Sequence, residues 1–101
     1  MRINEKTRTT LLEKIREYFG SQTEIWLFGS RVDDQARGGD LDIYIEPEVK
    51  DAEGVFEAKI RTLAALKRIL GERKIDLVIN RNTQTNQAIY EIARSTGVKL
   101  T

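Results

Sequence analysis

Phe28-Gly29-Ser30-Arg31-Val32-Asp33-Asp34-Gln35-Ala36-Arg37-Gly38-Gly39-Asp40-Leu41-Asp42-Ile43-Tyr44-Ile45 is the most informative stretch of this 101-residue chain. In its second half, Leu41, Ile43 and Ile45 alternate with Asp42 and Tyr44, the period-two pattern of a strand with one face in a core. Asp40 and Asp42, two positions apart, then leave the opposite side together. In its first half, Phe28 ends a short aromatic and β-branched strand, Glu24-Ile25-Trp26-Leu27-Phe28, stopped by Gly29-Ser30. A glycine at a strand end lets backbone approach a ligand closely. A turn from there into a short helix would aim free N–H groups and the Ser30 hydroxyl at an anion such as a triphosphate.

Upstream, Leu11, Leu12, Ile15, Tyr18 and Phe19 recur at helical spacing from Thr10; Thr10 with Glu13 makes a capping-box pattern and Gly20 supplies the stop. Downstream, Pro47 closes the second strand. Asp51 is the expected cap of a long helix whose apolar stripe reads Phe56, Ile60, Leu63, Leu66 and Leu70, with Lys67 and Arg68 near its end and Gly71 after it. Lys74-Ile75-Asp76-Leu77-Val78-Ile79 is a third strand in which Asp76 points away from Ile75, Leu77 and Ile79. Ala88, Ile89, Ile92 and Ala93 mark a last helix, with Thr85 as cap and Gly97 as stop. The order helix, strand, short helix, strand, helix, strand, helix predicts an α/β (α+β) fold: a small mixed sheet with helices packed against it, as one domain over residues 1–101. No repeat, low-complexity tract or linker interrupts it.

Seventeen Lys and Arg against sixteen Asp and Glu leave a net charge of +1, too small an excess for extended nucleic-acid binding. The chain has no Cys and no His, which removes thiol nucleophiles, Cys-rich zinc sites and the commonest neutral-pH base. Chemistry here must be run by carboxylates, hydroxyls, backbone and cations. The first residues lack the apolar run of a signal sequence and no later run reaches membrane-spanning length, so a soluble cytoplasmic protein is the default expectation. A chain this short needs most of its apolar residues for its own core, so a large exposed apolar face would point to a partner; a homo-oligomer is compatible with the sequence.

Asp40 and Asp42 crowd two carboxylates onto one patch, and Asp76, from another strand, is placed to add a third. Such crowding is unfavourable unless a cation lies between the groups, and hard oxygen donors suit magnesium, which also binds substrate phosphates. Each part has a plainer reading alone: Gly-Ser as a turn and helix cap, Asp-x-Asp or Asp76 as a solvated strand face, Arg31 and Arg37 as solvated loop cations. Trp26 and Phe28 read as core residues, and Tyr44 shares the predicted face of the two aspartates.

Gly29-Ser30, nine intervening residues, then Asp40-Leu41-Asp42, with Asp76 on a later strand, resembles the nucleotidyltransferase signature of the DNA polymerase β superfamily. The resemblance spans about residues 24 to 80. It implies that Gly29 and Ser30, with Arg31 beside them, hold the triphosphate of ATP. It implies too that Asp40 and Asp42 bind magnesium and that Asp76 binds a second ion or activates the acceptor hydroxyl. A carboxyl-terminal helical domain like that of larger members is missing from the sequence, which points to the minimal nucleotidyltransferases (MNT), many of which pair with a HEPN-domain protein in toxin–antitoxin modules. By that resemblance the reaction is protein adenylylation, AMP passing from ATP to a tyrosine of a HEPN toxin, which makes the chain an antitoxin. The rival reading is an antitoxin or regulatory subunit that acts only by binding its partner. Modification of a small molecule such as an aminoglycoside is weakened by the missing acceptor domain.

Overall fold

The computed structural model describes residues 5–28, 41–71, 74–81 and 87–101. Along the chain run α1 (Glu5–Phe19), β1 (Glu24–Phe28), β2 (Leu41–Glu46), α2 (Ala52–Leu70), β3 (Ile75–Ile79), α3 (Gln87–Thr96) and β4 (Val98–Lys99). The strands form one mixed sheet in the order β3-β2-β1-β4. β1 is antiparallel to both β2 and β4, while β2 and β3, joined through α2, are parallel. The small mixed sheet with packed helices expected from the sequence is thus the fold observed.

Alternation divides the sheet into two faces. Ile25, Leu27, Leu41, Ile43, Ile45 and Leu77 enter the larger core, where Leu11, Ile15 and Phe19 of α1 and Val55, Ala58 and Leu66 of α2 cover them. On the other face Trp26 and Tyr44 pack with Ala93 of α3, flanked by Phe28, Val78 and Tyr90. The sheet is therefore sandwiched, with two helices on one side and the short α3 on the other.

Asp51 caps α2 as expected, accepting a 2.7 Å hydrogen bond from the Gly54 backbone N–H. Three other expectations are corrected. α1 already includes Glu5, so Thr10 lies inside the helix and is no cap. The buried stripe of α1 is Thr7, Leu11, Ile15 and Phe19; Thr7 extends a four-residue spacing that apolar residues alone understate. Arg8 on the same early turn ties the helix to the far end of the chain by donating to the Leu100 carbonyl at 2.7 Å.

Of the stripe expected on α2, Leu66 is buried and Leu63 and Leu70 pack against the core, but Phe56 and Ile60 do not belong to the buried face. Val55, Ala58, Thr62, Ala65 and Leu66 face inward, whereas Phe56 and Ile60 are 64% and 52% exposed. Small residues on the inner stripe allow α1 and α2 to approach closely, and this selects between two apolar registers that helical spacing alone permits. Finally, β4 has no counterpart among the expected elements. Gly97 ends α3, its N–H donating to the Ala93 carbonyl at 2.9 Å, and the chain then turns directly into β4. A Cβ at Gly97 would stand 2.5 Å from that carbonyl and 2.9 Å from the Leu27 carbonyl, so the turn requires glycine. β3 starts at Ile75, with the Lys74 carbonyl accepting from the Leu41 N–H at 2.9 Å. The short helix expected between the first two strands and the Thr85 cap lie outside the described residues.

Candidate active site

Because β2 and β3 are parallel, the pairing register decides which side chains of the two strands are neighbours. Asp42 is paired with Asp76, each the second residue of its strand. Residues paired across adjacent strands share a face and lie about 5 Å apart. Two carboxylates from segments separated by the whole of α2 are thereby brought side by side, on the face opposite the larger core. Asp42 is half-buried and Asp76 is exposed.

Across β1 the same row continues to Phe28, which is paired with Asp42 and half-buried. Phe28 and Leu41, which flank residues 29–40, lie at the same end of the sheet as the carboxylate pair. Gly29, Ser30, Arg31, Arg37 and Asp40, the remaining residues assigned from the sequence to triphosphate or metal or left open there, all fall within 29–40 and lie outside the described residues.

The next row toward the centre is aromatic. Tyr44 is fully buried between Trp26, with ring centroids 5.2 Å apart, and Tyr90, at 5.8 Å. Its hydroxyl donates to Glu46 Oε2 at 2.6 Å and accepts from Asn80 Nδ2 at 3.0 Å. Burial and the Glu46 carboxylate push the Tyr44 phenol up to about 12. Tyr44 shares the face of Asp42, as alternation implies, but it serves the packing under α3. Trp26 is likewise a core residue and is flanked by cations: Arg94 lies 5.4 Å and Lys99 5.5 Å from its ring centroid. Arg94 also pairs with Glu46 at 3.3 Å, so the end of β2 remote from Asp42 is held by a closed set of charges and hydroxyls.

Two adjacent carboxylates of different exposure form a hard-oxygen donor set, which suits a magnesium ion carrying substrate phosphates. The exposed member lies on β3, the edge strand of the sheet. Phe28 is the neighbour that sequence reasoning placed simply in the core; the signal for its position is the alternation of β1, which turns Ile25 and Leu27 to the larger core and Phe28 away from it.

No relative was found among curated proteins. The family model described as polymerase beta, nucleotidyltransferase matches residues 13–100, from within α1 to the end of the sheet, so it takes in both aspartate-bearing strands. This chain belongs to the polymerase β nucleotidyltransferase family, whose reaction is nucleotidyl transfer.

Proposed function

We propose that the chain is a magnesium-dependent protein adenylyltransferase that passes AMP from ATP to a tyrosine hydroxyl of a HEPN-domain partner and so acts as an antitoxin. The observation that carries this reading is the pairing of Asp42 with Asp76 on one sheet face, at the end of the sheet where residues 29–40 are attached. Asp42, with Asp40 just ahead of its strand, would hold magnesium, and Asp76 would either bind a second ion or take the proton of the acceptor hydroxyl. Magnesium held by these residues would lower the pKa of the acceptor oxygen and offset the charge of the triphosphate.

Gly29, Ser30 and Arg31 grip that triphosphate and orient its α-phosphorus for in-line attack. The acceptor oxygen bonds to the α-phosphorus as the bond to pyrophosphate breaks. With no histidine in the chain, the hydroxyl proton would pass to a carboxylate, and in the second of its two roles exposed Asp76 would receive it.

The test uses the chain with ATP, magnesium and a HEPN-domain protein encoded beside it. The partner should gain the mass of one AMP group, and chelation of magnesium should stop the gain. Asp76→Asn should still form the complex but should neither modify the partner nor protect cells from it. Full protection by Asp76→Asn at matched expression would sink the catalytic reading and leave the binding-only antitoxin.

A further inference from the structure

The outward stripe of α2 holds the largest exposed apolar residues of that helix, and its composition is ordered along the axis. Phe56 is 64% and Ile60 52% exposed; Ala64 is exposed and Leu63 half-buried beside them. Glu53 stands in the first turn and Lys67 in the last, both exposed. At 100° per residue, Glu53, Phe56, Ile60, Ala64 and Lys67 fall within about 40° of the direction of Ile60. Among the described residues, neither the Glu53 nor the Lys67 carboxylate or ammonium has an ion-pair partner.

Ile60 is the midpoint of this stripe, and each position has a complementary counterpart at the same distance on the other side. Glu53 mirrors Lys67, an acid against a base. Phe56 mirrors Ala64, a large side chain against a small one. An acidic first turn and basic last turn also suit the helix dipole, but that explains only the ends and not the phenylalanine and isoleucine between them. We infer that two copies of this chain dock through α2, antiparallel, about a two-fold axis passing at Ile60. The two-fold sets Glu53 beside Lys67 of the second copy twice over, and lays each Phe56 on the opposite Ala64. A self-complementary patch of this kind closes as a dimer and leaves no second contact surface to propagate. A heterologous partner would have no need of this symmetry. The face lies on the helix layer remote from the carboxylate pair, so the inference is independent of the proposed reaction.

One helix a side makes a small interface, so sedimentation equilibrium of the full chain should show a reversible micromolar dimer. Ile60→Asp should leave only monomer, while Ile92→Ser, which changes an exposed isoleucine on α3, should dimerise as the parent does. Glu53→Lys and Lys67→Glu should each weaken the dimer about fivefold, and the two together should restore it. The chain has no native thiol, so introduced cysteines report directly. Ile60→Cys should oxidise to a covalent dimer. Glu53→Cys should not, because its two thiols would stand about 21 Å apart along the paired helices. A chain that stays monomeric, a dimer that survives Ile60→Asp, or charge reversals that fail to rescue each other would overturn the inference. In the first case the stripe belongs to a different protein.

Discussion

Asp42 and Glu46 point from the same face of β2, one near each end, and their surroundings differ in kind. Glu46 accepts the Tyr44 hydroxyl at 2.6 Å and meets the Arg94 guanidinium at 3.3 Å, with Arg94 itself set over Trp26. Asp42 has another carboxylate, Asp76, as its paired neighbour. Glu46 thus has a hydroxyl donor and a cation fixed beside it. Two carboxylates in adjacent strand positions raise the energy of the fold unless something positive joins them. One end of the strand thus carries a carboxylate set among aromatic and cationic side chains, and the other a carboxylate paired in register with a second one.

The sharpest way to break this contrast is to neutralise one aspartate. Asp42→Asn keeps the shape of the side chain while removing an anionic ligand, so nucleotidyl transfer should fall at least about a hundredfold with circular dichroism unchanged. Asp40→Asn should do the same. Asp51→Asn keeps an equally good cap on α2 and should leave transfer intact. Equal losses in Asp51→Asn and Asp42→Asn would show that the site has been misplaced.

At the other end of β2 the expected effects are on stability. The folded protein raises the Tyr44 phenol to about 12, from 10 in the unfolded chain, so folding favours the protonated form. That contribution is fully present below pH 10 and is lost as pH rises toward 12; it amounts to about 2–3 kcal/mol. Alkaline unfolding followed by Tyr absorbance should therefore be steep in this window and shallower in Tyr44→Phe. At neutral pH Tyr44→Phe removes the donor to Glu46 and the acceptor of Asn80, and should cost about 1–2 kcal/mol, read as a lower melting temperature. Arg94→Ala, at a side chain 58% exposed, should cost less than about 1 kcal/mol. Neither variant should change transfer by more than about threefold at a temperature where it is folded. A large loss of transfer in Tyr44→Phe would erase the distinction between the two ends.

The parts of this arrangement legible from sequence are those set by nearest neighbours. Alternation of Leu41, Ile43 and Ile45 places Asp42 outside the larger core, and Ile75 with Leu77 does the same for Asp76. That the two aspartates face each other is a matter of long-range register, which depends on how α2 returns the chain to the sheet. The inner face of α2 is hard to read from sequence because Ala58, Thr62 and Ala65 carry less hydrophobic weight than Phe56 and Ile60, although they are buried beside Val55 and Leu66. β4 pairs with β1 through only Val98 and Lys99, too few residues to show a period. The resemblance carried by Gly29-Ser30 and Asp40-Leu41-Asp42 led to the family, while the geometry of residues 29–40 lies outside the described residues.

The parallel pairing of β2 with β3 has a consequence for how the protein acquires its affinity for ligands. Antiparallel β1 and β2 are consecutive strands, but the pairing of Asp76 with Asp42 spans the whole of α2 in the chain. Closing so long a loop is entropically costly and tends to be a late event. A nascent chain that ends before β3 therefore carries Asp42 without its companion. Under the proposed function, magnesium and nucleotide would then bind the native fold in preference to its precursors and act as selective stabilisers of the finished protein.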